Sequence, residues 1–187
     1  MASQSLISQP KNTQQIIRLL QQMEEYSRNN AAPLPLNEEV RTLWSGIGFR
    51  IAQHHFVVSM DFVREIMKYP SVSQVPGSKE WVRGIANVRG NLLPIFDLQG
   101  FLGKVLTPVK RETRVLSIAR DKLSAGLIVD EIYGMKYFDQ SLFDAHIGRD
   151  MKWSDFFSGG YEVDGKNWMV FNMQQLVESR DFLNVAS

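Results

Sequence analysis

Residues 81–102 and 156–177 carry one pattern twice, at an offset of 75 residues (Gly84 to Gly159). Gly84 meets Gly159, Val88 meets Val163, Gly90 meets Gly165 and Phe96 meets Phe171. Ile95, Leu98 and Phe101 meet Val170, Met173 and Leu176, all apolar. Each copy reads strand, tight turn, strand, short helix. Asp164-Gly165 is a strong two-residue hairpin signal, because such a turn needs positive φ. Arg89-Gly90-Asn91 fills the same slot in the first copy. A unit with one apolar face must bury it against another, so the repeat predicts two related small barrels in one chain.

The rest of the chain fits that plan. Phe49 and Ile51 alternate with polar neighbours, and so do Phe56, Val58 and Met60 after a turn expected near Gln53–His55. Arg114–Ala119, Ala125–Val129 and Trp168–Phe171 are further β-type runs. Many short strands separated by glycine turns favour small barrels over a helix-covered parallel sheet. Two helices are also expected. Asn12 and Gln15 form a capping box ahead of Ile16, Leu20 and Met23, with an end near Asn30. Asp61 is placed to cap a short helix carrying Val63, Ile66 and Met67, stopped by Tyr69-Pro70. Between 31 and 36, prolines predict an extended linker. The stretch 136–157 is rich in aromatics and fits neither period. The expected division is therefore 1–45 helix and linker, 46–180 barrels, 181–187 tail.

Composition removes several functions. A chain of 187 residues with 44% apolar residues builds a core without staples. With no cysteine there is no disulfide, thiol nucleophile or cysteine metal site. A net charge of +1 provides no field for nucleic acid or anionic lipid. No apolar run is long enough to span a bilayer, and the first residues lack the pattern of a secretory signal, so a cytoplasmic location is expected.

The chemistry-bearing residues read mostly as structure. Asp97 corresponds to Asn172 in the second copy, and what Asp and Asn share is helix capping, not acid–base work. Asp130-Glu131 reads as a solvated strand end. His54 and His55 point to opposite faces of any strand, which makes them poor chelators of one ion. No phosphate loop, cofactor box or metal set is present, and none is expected. Arg83 and Arg89 differ, because they map onto Ser158 and Asp164 and so belong to the first copy only. Arginine beside a turn glycine is either solvated or an interface anchor.

At these residues the chain resembles the CheW family of chemotaxis coupling proteins. Arg83, Gly84, Asn87, Arg89, Gly90, Pro94, Asp97 and Leu98 fill that family's central signature, with Val88 for a leucine. Val63-Arg64-Glu65-Ile66 and Gly126–Ile132 resemble its flanking motifs, and the likeness spans 46–177. Trp44–Phe49 and the long N-terminal segment are most similar to the adaptors of type IV pilus (twitching-motility) systems. The resemblance implies two intertwined SH3-like five-stranded β-barrels and no catalysis. It implies an adaptor between the cytoplasmic tip of a methyl-accepting chemoreceptor and the regulatory domain of a CheA-like histidine kinase. It makes Val63, Glu65, Arg83, Asn87 and Arg89 partner-binding candidates, with Gly84 and Gly90 shaping their surface. A general flagellar coupling protein, a small nucleic-acid-binding barrel and an enzyme using Asp97, Asp130 and Glu131 are the alternatives.

Overall fold

The computed structural model describes residues 11–30, 42–103, 105–120 and 123–186. The chain divides into two units, at Val40 and Arg41. Among the described residues the first holds one helix, α1 (Lys11–Asn30). Its described residues start at Lys11, so Asn12 lies within the helix and is not its cap. Ile16, Leu20, Met23 and Tyr26 recur at helical spacing and are each more than half exposed. The proline linker expected at 31–36 lies outside the described residues.

The second unit is two five-stranded sheets. One contains β1 (Leu43–Ile51), β2 (His54–Ser59), β8 (Glu131–Asp139), β9 (Phe157–Val163) and β10 (Lys166–Phe171), in the order β8-β1-β2-β10-β9. The other contains β3 (Val63–Lys68), β4 (Val82–Val88), β5 (Asn91–Asp97), β6 (Arg114–Arg120) and β7 (Leu123–Val129), in the order β3-β6-β7-β5-β4. The first sheet thus joins the early and late strands around the middle of the chain, which is the intertwining expected. Short helices α2 (Leu98–Gly103) and α3 (Met173–Glu178) each follow a strand, and α4 (Arg180–Leu183) follows α3.

The repeat is visible bond by bond. β4–β5–α2 and β9–β10–α3 are the two copies. Arg89 and Gly90 have φ of 51° and 85°, and Asp164 and Gly165 have 52° and 69°. Asp97 N donates to Trp81 O at 2.7 Å, and Asn172 N to Phe156 O at 2.8 Å. β5 runs parallel to β7, and β10 runs parallel to β2. Gly84 and Gly159 have φ of 131° and 127°. A Cβ on Gly84 would stand 2.3 Å from Ser73 O, and one on Gly159 2.6 Å from Asp144 O, where a neighbouring segment crosses each strand.

Side-chain alternation divides the core into three parts. Ala86, Leu93, Ile95, Val115 and Ile128 fill the second barrel. Val57, Phe138, Tyr161 and Trp168 fill the first. Between the sheets lies a shared core that includes Phe49, Phe56, Phe96, Leu116, Leu127 and Phe171. Burying each such side chain contributes about 1.5–3 kcal/mol, so the layer between the sheets is the main adhesive of the unit.

Two expectations fail locally. Val63–Lys68 is a strand, β3, not a helix. Its alternating half-buried and exposed residues suit the edge of a sheet, and pairing with β6 outweighs the weak capping signal. Asp61 sits within a single 3-10 turn, and Ser59 caps it by accepting from Asp61 N. The turn after β1 is Ala52-Gln53, so His54 and His55 belong to β2. The unassigned aromatic stretch begins as β8, whose pattern is obscured because apolar residues lie on both of its faces, Met135 and Tyr137 exposed and Phe138 buried.

Candidate partner-binding site

The β4–β5 turn projects Arg89 from the end of the second sheet. Val88 pairs with Asn91, leaving Arg89-Gly90 as a two-residue turn with both φ positive. Asn87 Oδ1 accepts from Gly90 N at 2.9 Å and closes it. This slot favours Asn, Asp or Gly, and the second copy obeys with Asp164. An arginine in left-handed backbone costs about 1–2 kcal/mol relative to ordinary helical φ. The turn does not need Arg89, so its side chain is the reason for it.

That side chain is 78% exposed, and its Nη2 lies 2.6 Å from Glu65 Oε1 on β3. An exposed pair of this kind stabilises by less than about 1 kcal/mol, too little to explain the choice of residue. Around it runs an open groove of about 480 Å³, lined by Arg64, Glu65, Leu92, Leu93, Ser117 and others. Leu92 is opposite Asn87 and 74% exposed. It shares a sheet face with Pro94 and Phe96, the face that farther along packs into the shared core. The second copy has Asn167 at Leu92's place. The first copy alone therefore combines an exposed cation with an exposed leucine.

The other candidates divide. Val63 is half-buried against the shared core, two residues before Glu65 on β3. Gly84 and Gly90 hold backbone that other residues adopt only under strain. Arg83 is engaged internally, its Nη1 donating to Asp97 Oδ2 at 3.1 Å. Asp97 is fully buried and also accepts from Gly100 N, Thr107 N and Thr107 Oγ1 at 3.0, 2.8 and 2.7 Å. The cap role expected of Asp97 is present in the Gly100 bond. The four donors occupy the capacity of the carboxylate. Asn172 caps α3 the same way, accepting from Gln175 N at 3.1 Å.

Asp130 and Glu131 are not a solvated strand end. Asp130 Oδ2 accepts from Ala52 N at 2.6 Å, and Arg50 reaches Asp130 and Glu131 at 3.4 and 3.3 Å. These groups brace the β1–β2 turn, where Ala52 has φ 53°. Asp97 thus belongs to one network and the Asp130-Glu131 pair to another, so the three carboxylates do not converge. His54 packs edge-on to Trp153, and His55 stacks on Tyr133 and tilts against Trp168. Burial lowers the pKa of each below 6.5, and the charges of Lys166 and Arg50 push His55 the same way. Leu92 was missed in the sequence because it lies in an otherwise buried apolar run. Comparing the copies, leucine against Asn167, would have found it.

A family model described as the CheW-like domain matches residues 45–181. The chain is 41% identical to Protein PilI of Pseudomonas aeruginosa over 170 residues, covering 90% of this chain and 95% of that protein. It is 30% identical to the chemotaxis protein CheW of Bacillus subtilis over 96 residues, 51% of this chain and 62% of that protein. The solved structure of the scaffolding protein TtCheW from Thermoanaerobacter tengcongensis is similar, with a TM-score of 0.63. That likeness covers 73% of this chain and 94% of the other at 22% identity, and it speaks for the fold.

Proposed function

We propose that this chain, which belongs to the CheW-like domain family, is a non-enzymatic chemosensory adaptor that joins a methyl-accepting receptor tip to a CheA-like histidine kinase. The observation that carries the site is Arg89. It occupies a backbone slot that disfavours it, points to solvent, and stands next to an exposed leucine that the second copy lacks. A receptor helix would lay an apolar ridge along Leu92 and Pro94, and its acidic residue would take Arg89 from Glu65. Apolar contact supplies affinity and the charges set register. Gly84, Arg83 and Asp97 hold the hairpin that presents the surface.

Control of type IV pilus twitching motility is the favoured setting, since the likeness to PilI spans nearly all of both chains at 41% identity, while those to the chemotaxis CheW proteins of Bacillus subtilis and Thermotoga maritima cover 51% and 71% of this one at 30% and 21% identity. The adaptor would work in the cytoplasm, gathered at receptor arrays. Among the described residues, no helix is long and apolar enough to cross a membrane.

The test is reconstitution of purified receptor tip, kinase and adaptor. Arg89→Glu is expected to fold normally and to lose receptor assembly. If it assembled like the native chain, the placement of the receptor on this face would be wrong.

A further inference from the structure

The end of the second sheet opposite the Arg89 turn is also charged. Lys68 closes β3, Arg114 opens β6, and the two are cross-strand partners. Like charges directly opposite on a sheet are destabilising. Lys110 and Arg111 stand on the turn leading into β6. Buried Thr113 pins that turn: its Oγ1 accepts from Lys110 N at 2.9 Å. Arg114 Nη1 donates to the carbonyls of Arg111 and Thr113 at 2.6 and 2.9 Å. The cations are therefore gathered on a fixed scaffold.

Glu112 is the one carboxylate on the turn. Asp97 and Asp130, the acids that end β5 and follow β7, already hold Arg83 and Arg50. Among the described residues, the ion pairs leave Lys68, Lys110, Arg111 and Arg114 out. The whole chain carries only +1, so this is a local excess. On the same segment Val105 and Val109 are 63% and 46% exposed, with Leu106 beside them.

We propose that Val105, Leu106 and Val109, together with Lys68, Lys110 and Arg111, form a second docking face for an acidic, leucine-bearing segment of a protein partner. Cations at the rim steer such a segment, and the aliphatic centre holds it. Residues 105–114 offer no aromatic ring on which a base could stack, which disfavours single-stranded nucleic acid. Glu112 amid the cations would face the headgroups of an anionic bilayer. The proposal extends the adaptor reading by giving the same barrel two opposed contact faces, and it does not depend on what Arg89 binds.

The test uses the full chain, isotopically labelled, and three probes: a Glu-rich peptide with leucine at every fourth position, an oligouridylate, and phosphatidylglycerol vesicles. The peptide is expected to shift amide signals at 68 and 105–114, to bind about tenfold more weakly to Lys110→Glu/Arg111→Glu, and to lose affinity as salt rises. Arg89→Glu should leave these shifts unchanged, and thermal melts should show both variants folded. The proposal is overturned if the peptide leaves 105–114 undisturbed, if the double variant binds it equally, or if RNA or vesicles engage the face more strongly. Failure here with Arg89→Glu still defective in receptor assembly would leave the adaptor reading standing.

Discussion

Arg89 and Asp164, 75 residues apart in sequence (164 against 89), occupy the same left-handed turn position, with φ of 51° and 52°. Asp164 suits that backbone and Arg89 does not. The difference separates the part of the hairpin that serves folding from the part available for binding.

Arg89→Asn should therefore stabilise the fold while weakening receptor assembly. Asparagine tolerates left-handed φ, and relief of up to about 1 kcal/mol would raise the melting temperature by roughly 3 °C. A melt and a binding assay on one sample check this. A lower melting temperature would show that Arg89 is not strained.

Glycines of the repeat should divide by what surrounds them. Gly90→Ala and Gly165→Ala meet open space, so each should cost only about 1 kcal/mol of backbone strain. Gly84→Ala and Gly159→Ala would drive a methyl into the backbone carbonyls of Ser73 and Asp144, in addition to strained φ. Urea denaturation should rank these two as at least about 2 kcal/mol worse than the turn pair.

Asp97→Ala should be among the most damaging single changes. It strips the partner from Arg83 and leaves two backbone amides unmet, at a cost of about 3–5 kcal/mol. Arg83→Met should be milder, because it leaves Asp97 its three other donors. The order of the two midpoints in urea is the readout.

Stability should fall as pH drops from 7 toward 5. Burial holds the pKa of folded His54 and His55 below 6.5, so the unfolded chain takes up protons first. The contribution is fully present above the unfolded value and is lost as pH falls through that window toward the folded one. His54→Gln/His55→Gln should flatten this part of the pH–melting curve. An unchanged slope would mean that these histidines are not its source.

The repeat was legible because turn glycines, apolar alternation and caps are local demands, each met within a few residues. Asp97 as a cap followed from Asn172 for the same reason. The exceptions trace to contacts made at a distance. β3 carries a weak helix signal, but β6, more than forty residues later, supplies the edge it pairs with (Val63 to Ile118). β8 hid its period because apolar Met135 and Tyr137 stand on its exposed face while Phe138 is buried, a distinction that only the packed sheets make. Asp130 reads as a free strand end until the β1–β2 turn, nearly eighty residues earlier, arrives against it (Ala52 to Asp130).

For the candidate site, the chain alone named Arg89, Glu65 and Asn87, through the repeat and through resemblance. It did not divide the two arginines. Arg83 and Arg89 look alike in sequence, each beside a glycine in an apolar run. Folding sets Arg83 against a buried carboxylate and leaves Arg89 at a turn tip. By itself the sequence determined what local sterics can encode: two copies of a hairpin and helix, their turns and their caps. The tertiary structure decided which charges are spent inside and which face outward, because desolvation and ion pairing depend on strands that meet only once both sheets have closed.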